Sequence, residues 1–414
     1  MRTPRRTQEW QRMGGHHRRP DEHELGRTPR AAWLVLAPIA LLTVVAMAWL
    51  WPTEDLTPPE RQGGAAQYDG TITAIESSEC TEDLTDDVNG CGTATVALEV
   101  PEDDPRQNPV DEAEVPLPNG PGAPEVAEGD DVVLILNETP DGESYAIVDH
   151  QRGTGLAVLV GAFVLAMVAF GRWRGVSALA GLGVTFLLLL YFVVPAILAG
   201  SPPLLVAIVG SAAIMLTVLY LTHGLAATTT VAVLGTLASL TLTGVLSALA
   251  VSALHLTGVT DDLSLAVGMT QGVNTEGLLL AGIVIGSLGV LDDVTVTQSA
   301  TVAELARANP AYGALQLFRA GSRVGRSHIA SVVNTIVLAY AGSALPLLIL
   351  IVANTESLGS VVTDQIIAQE VVRSVVATLG LVAAVPLTTG LAALVLRSRP
   401  DPQASESAGL SPQA

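Results

Sequence analysis

The chain has 414 residues, 49% of them hydrophobic and 14% charged, and its mean hydropathy is +0.48. Repeated apolar runs of about 20 residues exclude an ordinary soluble protein and predict a polytopic membrane protein. The net charge of −20 belongs to one segment, because residues 52–153 hold 25 Asp and Glu against 3 Arg. Such acidity excludes nucleic acid as a partner and favours cations.

Eight apolar spans are predicted, since a helix needs about 20 residues to cross a hydrocarbon core. They lie near residues 31–51, 155–171, 176–199, 203–222, 225–255, 277–297, 330–353 and 374–396. A disordered cytoplasmic leader, residues 1–30, precedes the first span, and a disordered cytoplasmic tail, residues 398–414, follows the last. The span at 31–51 is longer than a typical signal-peptide core, which favours an uncleaved signal anchor over a cleaved signal peptide.

The Arg residues predict the orientation of these spans. Of the 20 Arg, 16 fall in the leader, in the loops after the second and sixth spans, and after the eighth span. With both termini in the cytoplasm, all 16 lie on the inner side. We therefore expect a multi-pass protein of the bacterial plasma membrane with the lipid bilayer as a partner. Residues 52–153 are then extracytoplasmic, and residues 154–397 form a seven-helix transmembrane domain.

The acidic segment alternates apolar and polar residues in short runs separated by turns, which predicts four to six β-strands. The clearest runs are 68–77, 93–100, 130–137 and 144–150, whereas 111–129 is predicted to be a loop. About 85 residues suffice for one small all-β domain, such as an OB-like barrel or a sandwich.

Cys80 and Cys91, the only cysteines, both lie in the acidic segment. An even number in an oxidising compartment favours a disulfide over free thiols. A metal site is the other alternative, but two ligands are too few and no His lies near. The sequence leaves any metal unknown and predicts no cofactor.

Two adjacent carboxylates, Asp292 and Asp293, interrupt the sixth apolar span. Charged residues within a membrane are costly and face other helices, water or a cation. At about 100° per residue, Asp293 falls within about 20° of Gly282. The glycine face (Gly282, Gly286 and Gly289) is therefore expected to pack against another helix through its GxxxG pair and to carry Asp293 into that contact. Asp292 falls on a neighbouring polar stripe with Thr295 and Ser299.

Three hypotheses account for the carboxylate pair. In the first, the pair binds a cation or proton during transport. In the second, it is structural and bonds to Asn334, to Ser and Thr on other helices, or to an Arg. In the third, the helix ends near Val290 and the pair sits at the cytoplasmic interface. The candidate ion or proton site comprises Asp292, Asp293, Thr295, Thr297, Gln298 and Asn334.

Enzyme activity is not expected. An intramembrane aspartyl protease needs carboxylates from two helices, and the sequence indicates no second intramembrane acid. There is no HExxH motif and no supported Ser–His pair.

The loop after the sixth span contains Arg319, Arg323 and Arg326 at i, i+4 and i+7, which predicts a helix on the membrane surface with its Arg toward lipid phosphates.

Three segments carry a family resemblance. They read GVNTEGLLLAGIVIGSLGVLDDVTVTQSATVAEL, RVGRSHIASVVNTIVLAYAGSALPLLIL and AVPLTTGLAAL. Together they resemble the YibE/F-like bacterial membrane proteins, most closely the actinobacterial type, over residues 67–397. The resemblance implies a multi-pass plasma-membrane protein with an extracytoplasmic β domain, and it transfers no substrate or catalytic residue.

From the residues, the expected function is a permease or ion-coupled transporter for an unknown small solute or cation. The alternative is a non-transporting membrane scaffold whose β domain binds an envelope partner. The helices of such a scaffold would assemble with a partner or as a homo-oligomer.

Overall fold

The computed structural model describes residues 30–52, 66–78, 80, 88–100, 111–139, 142–259, 262–353 and 364–396. The predicted leader and tail lie outside this part of the chain, except for Arg30. The chain divides into two compact units, residues 57–175 and residues 1–56 together with 176–414, which are described separately below.

Five antiparallel strands form the sheet of the first unit. They are β1 (Gln67–Ser78), β2 (Cys91–Glu99), β3 (Glu112–Pro116), β4 (Asp131–Thr139) and β5 (Gly142–His150). Their order across the sheet is β3-β2-β1-β4-β5. The edge strands β3 and β5 contact each other, so the sheet curls around one apolar core. The predicted small all-β domain is thus present as a single antiparallel sheet.

Alternation along each strand builds this core, because successive side chains point to opposite faces. Ile72, Val96 and Leu134 are almost fully buried. The prediction of a loop at 111–129 is wrong in one part, because β3 lies within this range. Its run EAEVP buries Ala113 and Val115, and a two-residue apolar alternation among Pro and Gly is too short to stand out in sequence.

The predicted disulfide is confirmed, with the Cα atoms of Cys80 and Cys91 5.2 Å apart. It joins the chain just after β1 to the first residue of β2, where Ser78 already pairs with Cys91. The acidic loop at 81–87 lies outside the described residues.

Apolar helices form the rest of the described chain. They are α1 (Arg30–Leu50), α2 (Gly153–Leu188), α3 (Val194–Leu198), α4 (Pro203–His223), α5 (Ala227–Ala253), α6 (Asp262–Gln271), α7 (Thr275–Ala308), α8 (Ala314–Ser343), α9 (Leu345–Ala353) and α10 (Gln365–Val395). The largest core of the second unit lies among α4, α5, α7, α8 and α10 and includes Met215, Leu240 and Leu381. Apolar residues at helical spacing on each helix supply this core.

Helix α2 covers two of the predicted spans, and its backbone leaves the helical conformation between them. Arg172 has φ 51° and ψ −130°, a left-handed φ that is uncommon outside glycine. Further along, a π-helical turn at Leu189–Val193 precedes Pro195 in α3. The proline ring crowds the carbonyl four residues earlier and removes one hydrogen bond, which accounts for the wider turn.

Helix α8 differs from the surface helix that the sequence predicted. Arg319 and its neighbours belong to one continuous helix that also contains the first part of the seventh predicted span. Leu317 near its start is fully buried with Val302 and Leu396, so this segment packs inside its unit. The sequence did not indicate this packing, because the Arg residues lower the local hydropathy although they do not lie on the buried side of the helix.

Within the described residues, six helices are long and apolar enough to cross a membrane, with α2, the π-helical turn and α3 counted as one. Helix α8 is not among them. Many large apolar side chains on these helices are exposed, among them Leu41, Leu42 and Trp49 on α1. Apolar surface on this scale is compatible with a lipid surround rather than with water. The predicted count of eight spans stays a prediction.

Candidate functional site

Helix α7 carries the two adjacent carboxylates near its middle. It runs 34 residues from Thr275 to Ala308, a length of about 51 Å. Its first turn is capped by the Asn274 side chain, which accepts a hydrogen bond of 2.7 Å from the Gly277 backbone. The interpretation in which the helix ends near Val290 is therefore wrong. Asp292 and Asp293 each have more than two full turns of helix on either side.

Helix α7 has one buried face and one open face. The buried face includes Leu291, Thr295, Gln298 and Ser299, all at most 3% exposed. The open face consists of the glycine face together with Asp293 and Thr297, and all of these residues are exposed. Asp293 does share the glycine face, as predicted from the helical repeat. That face, however, points away from the buried core.

The predicted packing role of the glycines is not fulfilled among the described residues. A Cβ added at Gly282 or Gly289 would meet no heavy atom within 4 Å, and one at Gly286 would meet only the Tyr340 hydroxyl, at 3.3 Å. A GxxxG spacing permits close approach but does not select the face that packs. Here the face that packs carries apolar core residues together with polar side chains that have hydrogen-bonding partners on neighbouring helices.

Two of these partnerships hold α7 in the bundle. The hydroxyls of Thr295 and Thr236 on α5 are 2.5 Å apart. The Gln298 amide donates to the Thr389 hydroxyl on α10 at 2.7 Å and to the Gly321 carbonyl on α8 at 2.9 Å. Thr295 and Gln298, both predicted site residues, are thus buried and bonded, and they link three helices to α7.

Different glycines make the close helix contacts. A Cβ at Gly325 would overlap the Val385 side chain, and one at Gly321 would lie 2.9 Å from Thr389 and Val302 side-chain carbons. Gly321 and Gly325 themselves form a GxxxG pair, a signal present in the sequence but set among Arg residues. Between α5 and α10, Cβ atoms at Gly235 and Gly380 would collide with Thr388 and Thr243.

Asp292 lies at the edge of the buried face and is half-buried. Its Oδ1 atom is buried and has no hydrogen-bond partner in the described part of the chain. Asp293, on the open face, has no hydrogen bond or ion pair with another described residue. Asn334 is exposed on α8 and lies off the stripe through Ile336 that packs on the core. No hydrogen bond joins it to either carboxylate, so the structure does not bring the whole predicted set together.

Sequence reasoning missed a polar group near the start of α10. Glu370 and Arg373 form an ion pair of 2.9 Å, with side chains 22% and 28% exposed. Gln369 is fully buried and donates to the Val259 carbonyl at 3.1 Å. Glu370 falls between the predicted spans at 330–353 and 374–396, in a predicted loop, but α10 begins at Gln365 and includes it. The i, i+3 spacing of Glu370 and Arg373 was the available signal.

A cavity of about 710 Å³ lies between the end of α5 and the start of α7. Its polar lining includes Ser252, His255, Thr257, Asn274 and Glu276. In the described ranges, no three His, Cys, Asp or Glu side chains form a group that could hold a metal ion.

The family comparison covers the helices of the chain from α2 onward. A family model described as YibE/F-like protein matches residues 159–398, which is more than half of the chain. No curated protein and no solved structure matches the chain. The matched range contains α7, both carboxylates and the bonded polar residues.

Proposed function

We propose that this chain, which belongs to the YibE/F-like family, is a membrane permease or ion-coupled transporter with Asp292 as its ionisable centre. The observation that carries the proposal is the Oδ1 atom of Asp292, buried at mid-helix without a hydrogen-bond partner among the described residues. A buried acceptor left unpaired costs about 1–3 kcal/mol, and more when it is charged. Binding a proton or a cation removes that cost.

The bonded polar residues beside Asp292 support this proposal. Thr295, one turn further along, bonds to Thr236, and the Gln298 contacts fix α7 against α8 and α10. These contacts hold the α7 backbone firmly while the Asp292 side chain stays unpaired. A site of this kind releases and rebinds a cation without unfolding its surroundings. Asp293, one position along, adds a second negative charge on the open face.

Transport in reconstituted vesicles tests the proposal. Proton flux is followed with an enclosed pH-sensitive dye, and sodium, potassium, magnesium and calcium are tested as driving ions. The Asp292→Asn variant is expected to lose flux while retaining its unfolding temperature. Glu304→Gln is the matched control, because Glu304 lies on the same helix, is exposed and already pairs with Arg307. Undiminished flux in Asp292→Asn would overturn the proposal.

The membrane arrangement is also proposed rather than observed. It comprises eight spans, cytoplasmic termini, and an acidic extracytoplasmic β domain in a bacterial plasma membrane, of actinobacterial type. The Arg distribution supports the orientation. The curled sheet with contacting edge strands β3 and β5 supports an OB-like barrel. Labelling of single cysteines in whole cells tests the sidedness.

The open glycine face favours a second candidate, a non-transporting scaffold whose helices assemble with another chain or copy. Asp293 on that face would be costly against lipid, and a second helix would cover it. The β domain would then bind an envelope partner. Under this candidate, deleting residues 66–150 should abolish function, whereas Asp292→Asn should have little effect. We propose no enzymatic activity under either candidate.

A further inference from the structure

A cavity of about 520 Å³ lies between the first half of α8 and the middle of α10. One wall carries three Arg residues and a serine, and the other is apolar. The polar wall consists of Arg319, Ser322, Arg323 and Arg326, all on α8. The volume is within the range of about 300–1,000 Å³ that ligand pockets occupy.

The three guanidinium groups bring uncompensated positive charge to this cavity. Arg319, Arg323 and Arg326 are exposed, and none forms an ion pair with another residue that the structure describes. Arg307, at the end of α7, is different because it pairs with Glu304. Three unpaired Arg within two turns of one helix match an oxyanion with several acceptor oxygens, such as a phosphate.

Ser322 lies among the Arg residues on the polar wall. Its Oγ atom is buried and has no hydrogen-bond partner among the described residues. Two other serines on α8 satisfy their hydroxyls on their own backbone: Ser327 donates to the Val324 carbonyl and Ser343 to the Tyr340 carbonyl. The exposed guanidinium groups are therefore the groups of this wall that can reach a ligand.

The opposite wall would not suit a small water-soluble anion. It is formed by Val382, Val385 and Pro386 on α10, with Phe318 and Ile329 flanking the Arg residues. Val382 is 43% exposed. An apolar trough next to three cations favours a ligand with a phosphate at one end and hydrocarbon at the other. Basic pockets between membrane helices bind lipid headgroups in this way.

We propose that this cavity binds an anionic phospholipid. The guanidinium groups of Arg319, Arg323 and Arg326 hold its phosphate, and the apolar wall formed by α10 contacts the start of its acyl chains. The site lies on the side that the Arg distribution assigns to the cytoplasmic leaflet. It is independent of the proposed transport role of Asp292, because none of its lining residues belongs to α7.

The test measures lipid binding to the full-length protein in detergent. Phosphatidylglycerol, phosphatidylcholine and inorganic phosphate are titrated separately, and bound lipid is counted by native mass spectrometry beside the unfolding temperature. Phosphatidylglycerol is expected to bind and to raise the unfolding temperature by mass action, whereas phosphatidylcholine is not. The triple variant with Arg319, Arg323 and Arg326 changed to Gln should bind phosphatidylglycerol at least tenfold more weakly.

Matched variants separate the alternatives. Arg307→Gln removes a nearby but paired charge and should leave binding unchanged; an equal loss would show general charge attraction and overturn the proposal. Val382→Trp fills the apolar wall and keeps every charge, so it should abolish lipid binding even if the triple variant fails to fold. Equal stabilisation by inorganic phosphate, retained in Val382→Trp, would identify a free anion as the ligand and would also overturn the proposal.

Discussion

The two faces of α7 differ in composition and in surroundings. The buried face combines apolar core residues such as Leu288 and Leu291 with the bonded polar residues Thr295 and Gln298, whereas the glycine face carries small and polar residues and is open. Within a membrane, lipid is as apolar as leucine, so hydrophobicity does not decide which face packs. Close packing and hydrogen bonds between helices stabilise the contact instead, and the buried face has both.

This comparison also separates the two carboxylates. Asp292 borders the packed face and has a buried oxygen, whereas Asp293 sits on the open face with no described partner. Adjacent positions on a helix point about 100° apart. Two identical neighbouring residues therefore have different surroundings, and only Asp292 lies where the bundle itself shapes a site. The predictions below are ordered from the largest expected effect to the smallest.

Adding one methyl group should separate glycines that pack from glycines that do not. Gly380→Ala places a Cβ against Thr243, a β-branched side chain with little freedom to move, and should cost about 1–3 kcal/mol of unfolding free energy. Gly282→Ala meets no atom and should be neutral or stabilising by up to about 1 kcal/mol. Thermal unfolding in detergent measures both. An equal loss in Gly282→Ala would show that the glycine face is covered by another chain.

The rates of thiol labelling should distinguish the two faces of α7 directly. The chain's two cysteines are joined in the disulfide, so an introduced cysteine is the only free thiol. In detergent, Gly289→Cys on the open face should react with a membrane-permeant maleimide at least tenfold faster than Ser287→Cys on the buried face. A tenfold difference corresponds to about 1.4 kcal/mol of local opening free energy. Comparable rates would contradict the assignment of the faces.

The sequence predicted much of this arrangement but not the choice of face. The apolar runs predicted α4 and α5 to within two residues, and the helical repeat placed Asp293 with the glycines. Apolar residues at helical spacing mark the packed face of α7, but the GxxxG pair favoured the other face. The polar contacts of the packed face depend on Thr236 and Thr389, 59 and 91 residues away from their partners in α7, and no local pattern contains those pairings. The extent of α8 was missed for a related reason, because a Gly321–Gly325 contact is hidden within an Arg-rich segment.

Removing the central hydrogen bonds of the buried face should have a moderate effect. Gln298→Met keeps the volume but loses the donor to Gly321 and Thr389. Hydrogen bonds between membrane helices contribute about 0.6 kcal/mol on average and at most about 1.7 kcal/mol, so a loss of about 1 kcal/mol is expected. Thr297→Val is the control on the exposed side. If both variants unfold at the same temperature as the wild type, the buried polar contacts do not stabilise the bundle.

An exposed carboxylate outside the helical spans, Asp149, provides the reference for Asp293, which has no partner among the described residues. The pKa of Asp149 is lowered from 3.8, first because Arg152 donates a hydrogen bond to it at 2.5 Å and second because the His150 backbone does so at 2.9 Å. A lowered folded-state pKa contributes stability above 3.8 that is lost as pH falls through the folded value.

The effect on stability should be the smallest of the four, because the pair is exposed and screened by solvent. Carbon-detected NMR of the full-length protein with labelled Asp, assigned with Asp149→Asn, measures the titration. Arg152→Gln should return the midpoint toward 3.8, while a wild-type midpoint at or above 3.8 would refute the pairing. A carboxylate with an Arg three residues away is thus stabilised in its charged form. Asp293 has no such cation among the described residues, so its carboxylate lacks the stabilisation that Arg152 gives Asp149.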